Sequence, residues 1–342
     1  MKTIIHEEYG PPEVIRLVEA EKPAPKDNEV LVKVHAASIN AYDWHMLTAD
    51  IFLVRLMGGG LTRPKDTSLG ADIAGRVEAV GKEVTQFKPG DEVFGDVAGC
   101  GYSGFGEYVS VKEKLLAPKP ANLSFEQAAA VPMAGLTALQ GLRDAGKIQA
   151  GQQVLIQGAS GGVGTFALQI AKAYGAAVTA VCSTRNLEQA RALGAGHVID
   201  YTQEDFTQNG QQYDLILAAN GYRPLAEYKR ALAPNGIYVM AGGQPRQIFQ
   251  AVLLGSWMSR GGGKKMMALS AKHSQEDLLA LKELLEAGKI VPVIDRRYPL
   301  SETAEAMRYL GAGHARGKVV VSVMPDSGTP PAEEAVKSTT TR

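Results

Sequence analysis

The sequence predicts an α/β protein of two domains, one mostly of β-strands and one built on a doubly wound parallel sheet with crossover helices. Three observations predict it. Residues 29–36, "EVLVKVHA", place Val30, Val32, Val34 and Ala36 on one face, the period-two pattern of a half-buried strand. From about residue 124, short apolar runs alternate with helical or loop segments, as in parallel strands joined by crossovers. And "VLIQGASGGVGTFALQIAKAYG" carries an apolar strand through a glycine loop straight into an amphipathic helix.

The elements follow in order. Within 1–123, "GRVEAVG", "GDEVFG" and "GEYVSV" read as further short strands between Gly and Pro turns. "LSFEQAAAVPMAGLTALQGLRDAG" is helical, with Ser124 as its N-cap. "QVLIQ", "AVTAVC", "HVID", "YDLILAA" and "GIYVMAG" are the strands of the second domain, assigned to 124–294. Near 291–326, "VPVIDRRYPL" and "GKVVVSV" return to Pro-punctuated strand signals, so residues 295–325 are expected to rejoin and complete the first domain. Residues 326–342, rich in Pro, Ser, Thr and charge without apolar periodicity, read as a disordered tail.

Composition excludes several classes. In 342 residues, 36 Lys and Arg balance 36 Asp and Glu, so no net field draws the chain to nucleic acid. No run has the length of a signal-peptide core or a membrane span. Cys100 and Cys182 are the only cysteines, too few for a disulfide framework or a four-cysteine zinc site, and a cytoplasmic home is expected.

The glycine loop, Gly158, Ser160, Gly161, Gly162, Val163 and Gly164, has the chemistry of a pyrophosphate cradle. Glycine there permits a tight turn, close approach of backbone to phosphate and close helix–strand contact, and the helix N-terminus offers unpaired N–H groups. The first glycine position of the usual pattern holds Ala159. Val163, Phe166, Ala167, Ile170, Ala171 and Tyr174 form the apolar face of the helix. The residue that reads the adenosine ribose lies about 20 residues beyond the glycines. That is "AVCSTRN", where Ser183, Thr184 and Arg185 stand and no carboxylate does. Hydroxyls and a guanidinium suit a 2′-phosphate, so NADP(H) is the expected cofactor. In the competing reading Ser183 caps the helix beginning "NLEQARALG" and Arg185 is a solvated side chain.

"VLIQGASGGVG", "AVTAVCSTRNLEQARALGAGHVIDY", "VGKEVTQFKPGDEVFG" and "HARGKVVV" together resemble the medium-chain dehydrogenase/reductase superfamily, most closely its zinc-independent quinone oxidoreductase branch. The resemblance covers roughly residues 1–325 and implies a GroES-like β-barrel domain interrupted by a Rossmann domain, with the cofactor between them. It implies further that Tyr201 joins Ser183 and Arg185 at the 2′-phosphate, that Thr137, Gly242 and Gly243 flank the nicotinamide, and that Lys318 adds a contact. Zinc-dependent members carry Cys where this chain has Asn40 and Gly-His-Glu where it has Gly70-Ala71-Asp72, so no metal is expected.

Without a Lewis acid, hydride addition to an electron-poor acceptor is the expected chemistry, either to a quinone or to an α,β-unsaturated carbonyl. Candidate catalytic residues cluster in "SINAYDWHMLTAD": Asn40, which the resemblance aims at nicotinamide and substrate, then Tyr42 and His45. Tyr42 as packing, His45 as a satisfied histidine and Asp43 as a structural acceptor are the plainer alternatives. Two rival functions remain, a carbonyl reductase or alcohol dehydrogenase of the same superfamily and a non-catalytic NADPH-binding scaffold. The apolar stretches 51–60 and 248–258 are expected to wall the pocket or meet a second subunit, a homodimer being usual in this branch. Contact with a membrane surface is the lesser alternative, since neither shows a clean amphipathic helix.

Overall fold

The computed structural model describes residues 1–51, 54–55, 60–98, 101, 103–260 and 263–324. The expected tail at 326–342, Cys100 and most of the 51–60 stretch lie outside these residues. Strands β1 (Lys2–Ile5) and β2 (Arg16–Glu19) pair with each other, ahead of β3 (Glu29–Ile39), α1 (Ala41–Thr48), β4 (Asp72–Val80), β5 (Glu92–Asp96), β6 (Tyr108–Lys112) and β7 (Leu116–Pro118). Helices α2 (Phe125–Ala129) and α3 (Pro132–Leu139) lead into β8 (Gln153–Gln157), α4 (Gly162–Ala173), β9 (Ala177–Cys182), α5 (Leu187–Ala192) and β10 (His197–Asp200). Then come β11 (Tyr213–Ala218), α6 (Leu225–Ala231), β12 (Leu232–Met240), α7 (Pro245–Met258), β13 (Lys265–Ala268) and α8 (Gln275–Glu286). Strand β14 (Ile294–Pro299), α9 (Thr303–Gly311) and β15 (Lys318–Ser322) follow.

The second half of the chain makes a six-stranded sheet in the order β10-β9-β8-β11-β12-β13, every pairing parallel. Counted within the unit this is the doubly wound Rossmann order, and its switch point, where ligands bind, lies between β8 and β11. Parallel strands covered by helices on both faces are apolar throughout. In β8, Val154 and Ile156 pack with Phe166 and Ile170 of α4, while Leu155 faces the opposite core with Ile216, Tyr228 and Tyr238. All of these side chains are fully buried, and each aliphatic one contributes roughly 1.5–3 kcal/mol.

The GroES-like unit is a seven-stranded sheet, β14-β15-β3-β4-β5-β7 with β6 also on β3. Strand β15 pairs antiparallel with β3, Val319 opposite Ile39 and Ser322 opposite Ala36, so the segment after the Rossmann sheet returns to the first one. Val30, Val32, Val34 and Ala36 are buried as their alternation demands. Leu31, Ala37 and Ile39 on the alternate phase are buried as well, which a half-buried strand does not predict. The reason is position: β3 is central, with Ala36 packed towards Phe125 and Ala128 of α2 and Ala37 and Ile39 towards Leu47, Met307 and Val319. Ser124 caps α2 as expected, its Oγ accepting from Gln127 N at 3.2 Å while Ser124 N donates to Gln127 Oε1 at 3.0 Å.

Helices of the second half tie it to the first sheet. Met133 N, in α3, donates to Asp72 Oδ1 of β4 at 2.9 Å, and Gln275 Nε2 donates to Leu116 O of β7 at 2.7 Å. The cleft between them opens on the switch point.

Candidate active site

The glycine loop leaves β8 at Gly158, whose φ of +76° and close approach to β11 both exclude a side chain, since a Cβ would lie 2.8 Å from Asn220 N. Gly164 sits in the first turn of α4, where a Cβ would fall 2.1 Å from Gly158 O. Gly161 differs: it is the N-cap of α4, and the nearest atom to a Cβ there would be 3.6 Å away. A strand-end turn, a bare backbone facing open space and a helix N-terminus together fit a dinucleotide pyrophosphate.

On one side of the loop a cavity of about 510 Å³ is lined by Ser160, Ser183, Arg185 and Tyr201 together with Asn220, Arg223 and His314. Asn186 Nδ2 donates to Ser160 Oγ at 3.0 Å and to Ser183 Oγ at 3.1 Å, bracing the two hydroxyls. Ser183 therefore does not cap the following helix through its side chain. Arg185 is not simply solvated: its Nη2 donates to His314 O at 3.2 Å, and Arg316 Nη2 donates to Arg185 O at 3.2 Å. Thr184 is the exception to the expected trio. Its hydroxyl turns away to Asp200 Oδ2 at the end of β10, while its neighbours Ser183, Arg185 and Asn186, at the same 3₁₀ turn, line the cavity.

On the other side a cavity of about 490 Å³ shares Gly158, Gly161 and Asn220 with the first and gathers Asn40, Tyr42, His45, Thr137, Gly242, Gly243 and Lys318. Gly162, Val163 and Gly164 line it as well. Thr137 Oγ1 donates back to Met133 O at 2.7 Å within α3, leaving the oxygen lone pairs towards the cleft. The 248–258 stretch divides its roles. Ile248 lines the cavity and Ala251 is buried, whereas Phe249, Val252, Leu253 and Trp257 project outward from α7. Apolar residues on both faces hid this helix from a periodicity reading.

The floor of this cavity is a buried polar cluster. Lys318 Nζ, 3% exposed, donates to Asn40 Oδ1 and lies 3.2 Å from Asp72 Oδ2, in a carboxylate with no exposure. Asn40 Nδ2 donates to the same Asp72 oxygen at 3.0 Å and to Ser38 O at 3.5 Å. The amide expected to aim at the substrate thus has both N–H bonds engaged within the cluster and accepts from Lys318 through its oxygen. Asp72 also accepts from Ser38 Oγ at 3.0 Å; burial pushes its carboxyl up, against the pull of the Lys318 ammonium. Asp43, whose oxygens accept from Asn40 N at 2.8 Å and Gly70 N at 3.2 Å, is pushed up to about 7, first by burial and further by Asp72. Among the described residues no group of three or more His, Cys, Asp or Glu is placed to hold a metal.

Some participants were invisible to the sequence reading. Asn220 follows β11 at the switch point, a position that strand order alone would have flagged. His314 and Asp50 carry no such signal: the first reaches the cleft on a loop after α9, and the second comes back onto His45, its Oδ1 at 2.7 Å from Nδ1.

A Rossmann sheet with a glycine cradle at its switch point, facing a β-domain that supplies polar side chains, defines a dinucleotide-dependent oxidoreductase. Residues 26–121 match the alcohol dehydrogenase GroES-like domain and residues 193–321 the zinc-binding dehydrogenase family. The chain is 34% identical over 314 residues to a chloroplast envelope quinone oxidoreductase homolog of Arabidopsis thaliana, covering 89% of this chain and 92% of the relative. It is 35% identical to the chloroplastic NADPH-dependent alkenal/one oxidoreductase of the same plant, covering 95% and 80%. The quinone oxidoreductase of Coxiella burnetii superposes with a TM-score of 0.83 at 31% identity, over 94% of this chain and 99% of that one. The chain belongs to the medium-chain dehydrogenase/reductase superfamily, among the quinone oxidoreductase-like members, a family that binds NAD(P)H.

Proposed function

We propose that this protein is an NADPH-dependent, zinc-independent reductase that passes hydride to a quinone or to the C=C bond of an α,β-unsaturated carbonyl. The observation that carries the reading is the buried Lys318 ammonium on the floor of the cleft. Zinc requires several donor atoms with lone pairs at its disposal. Here Asn40 Oδ1 and Asp72 Oδ2 already accept from a cation, so this donor set does not fit the metal. Without a Lewis acid the alkoxide of a simple alcohol lacks its stabiliser, whereas an enone or quinone spreads incoming charge onto its own oxygen. Lys318 keeps one N–H beyond its two partners for such an oxygen.

Bound NADPH supplies the hydride, from C4 of its nicotinamide. The Gly161 backbone and the N-terminus of α4 would hold the pyrophosphate, and Thr137, Gly242 and Gly243, which line the cavity, would flank the nicotinamide. Ser183, Arg185 and Tyr201 supply hydroxyls and a guanidinium for the 2′-phosphate. The names of the relatives supply the acceptor class, quinones and alkenals or enones. A homodimer is part of the proposal, supported by β13 at the sheet edge beside the outward apolar face of α7. So is the division at residues 123 and 294, supported by β14 and β15 lying in the sheet of β3. A cytoplasmic location rests on cysteine usage; no helix among the described residues is long and apolar enough to cross a membrane.

The test is oxidation of NADPH and NADH across quinones, alkenals and cyclic enones, with product analysis. NADPH is expected to be preferred, and an enone to yield the saturated ketone. Arg185→Ala removes a charged hydrogen-bond donor worth about 1.5–3 kcal/mol, so the NADPH-to-NADH ratio of kcat/KM should fall about 10- to 150-fold. Equal use of NADH by the wild type overturns the cofactor assignment. An allylic alcohol as product points to carbonyl reduction, and tight NADPH binding without turnover points to a scaffold.

A further inference from the structure

One polar pair on the acceptor side of the cleft has no part in the floor cluster. His45 lines the cavity from α1, with its Nδ1 2.7 Å from Asp50 Oδ1. A carboxylate only accepts, so Nδ1 carries the hydrogen and Nε2 is left for the cleft. The contact depends on an unusual turn. Helix α1 ends at Ala49, which is buried and left-handed at φ 46°, ψ 37°, a conformation that L-residues rarely adopt. Ala49 N closes on His45 O at 2.9 Å, and the reversed chain folds Asp50 back onto the ring one turn earlier. A left-handed non-glycine residue persists only where the surroundings enforce it. Other charged groups nearby are engaged elsewhere: Lys318 with Asn40 and Asp72, and, on α9 against α1, Arg308 with Glu13 and Tyr309 with Asp295.

We propose that His45 is the acid that completes the reduction and that Asp50 is its positioning residue, fixing ring orientation and tautomer. The proposal rests on the reductase reading above. Hydride arriving at the β-carbon of an enone pushes the C=C electron pair onto the α-carbon and carbonyl oxygen as an enolate. The Nε2–H bond of the His45 imidazolium then breaks, its proton forms the new C–H bond at the α-carbon, and the ring is left neutral with hydrogen on Nδ1. For a quinone the same proton goes to the oxygen bearing the new charge. His45, 21% exposed, recovers a proton from water.

The experiment uses the full chain and two kinds of readout. In the cofactor-free protein, two-bond ¹⁵N–¹H correlation of the His45 ring should show the Nδ1–H tautomer in the wild type and a shift towards Nε2–H in Asp50→Asn. With a cyclic enone under saturating NADPH, His45→Gly should lose on the order of 10²–10⁴-fold in kcat, with NADPH affinity unchanged and activity partly restored by added imidazole. His45→Gln, which keeps the helix propensity, should lose as much without rescue, and Asp50→Asn should lose less than either. An Nε2–H tautomer in the wild type, or full activity in His45→Gln, overturns the proposal while leaving the reductase reading intact. A wild type inactive on every acceptor overturns both.

Discussion

Replacing Lys318 by Met tests whether the floor of the cleft is a true buried ion pair. The ammonium is 3% exposed and faces a carboxylate that is 0% exposed. Its removal strands the Asp72 charge and leaves Asn40 Oδ1 without its donor. Breaking a buried pair in this way costs about 3–5 kcal/mol. Asp72 would keep hydrogen bonds from Ser38, Asn40 and Met133, which places the expected cost near the lower end, about 3 kcal/mol at pH 8. The loss should shrink at pH 5. Burial already raises the Asp72 carboxyl, and losing Lys318 raises it further, so protonation then neutralises the stranded charge. Adding Asp72→Asn to the Lys318→Met variant should recover most of the loss at pH 8. Urea unfolding midpoints of the three proteins at both pH values measure this. A single-variant cost under about 1 kcal/mol, or a double variant no more stable than the single, would refute the reasoning.

Two further outcomes are expected. Gly164→Ala forces a Cβ onto the rigid carbonyl of Gly158 and should cost about 1–3 kcal/mol or more in thermal unfolding, whereas Gly161→Ala, facing open space, should leave stability unchanged and weaken NADPH binding measured by calorimetry. Asp43 has a folded pKa raised to about 7, so the native state holds its proton where the unfolded chain does not, and stability attributable to it falls as pH rises from about 4 to about 7. Asp43→Asn should lack that slope, which denaturation across the same window will show.

Legibility followed the range over which each signal acts. The glycine loop and the strand–helix alternation are local patterns with local causes, and Gly158 and Gly164 stand where the loop's own geometry requires them. Counting from the loop leads to Ser183 and Arg185, which line the cavity beside it, because a strand and a helix fix that distance. Counting could not separate them from Thr184, since which side chain faces the cleft depends on the 3₁₀ turn at the end of β9. Asn40 was assigned to the right cavity but not its true partners. Its amide is claimed by Lys318, 278 residues away, and only the pairing of β15 with β3 brings them together. Asp50 escaped because a left-handed alanine gives no sequence signal of a helix reversal. The second buried face of β3 escaped because Lys33 and His35 interrupt it between Leu31 and Ala37.

The placement of Lys318 on β15 also orders the birth of the site. During synthesis the glycine cradle and the whole Rossmann sheet leave the ribosome before this strand does, and Asn40 and Asp72 precede all of them. Until β15 docks, Asn40 and Asp72 lack their cation, and the β-domain lacks the strand that joins β14 to β3. The two halves of the cleft are therefore completed by different stretches of chain: the glycine cradle is made first, and the polar floor is finished only by the last strand of the fold.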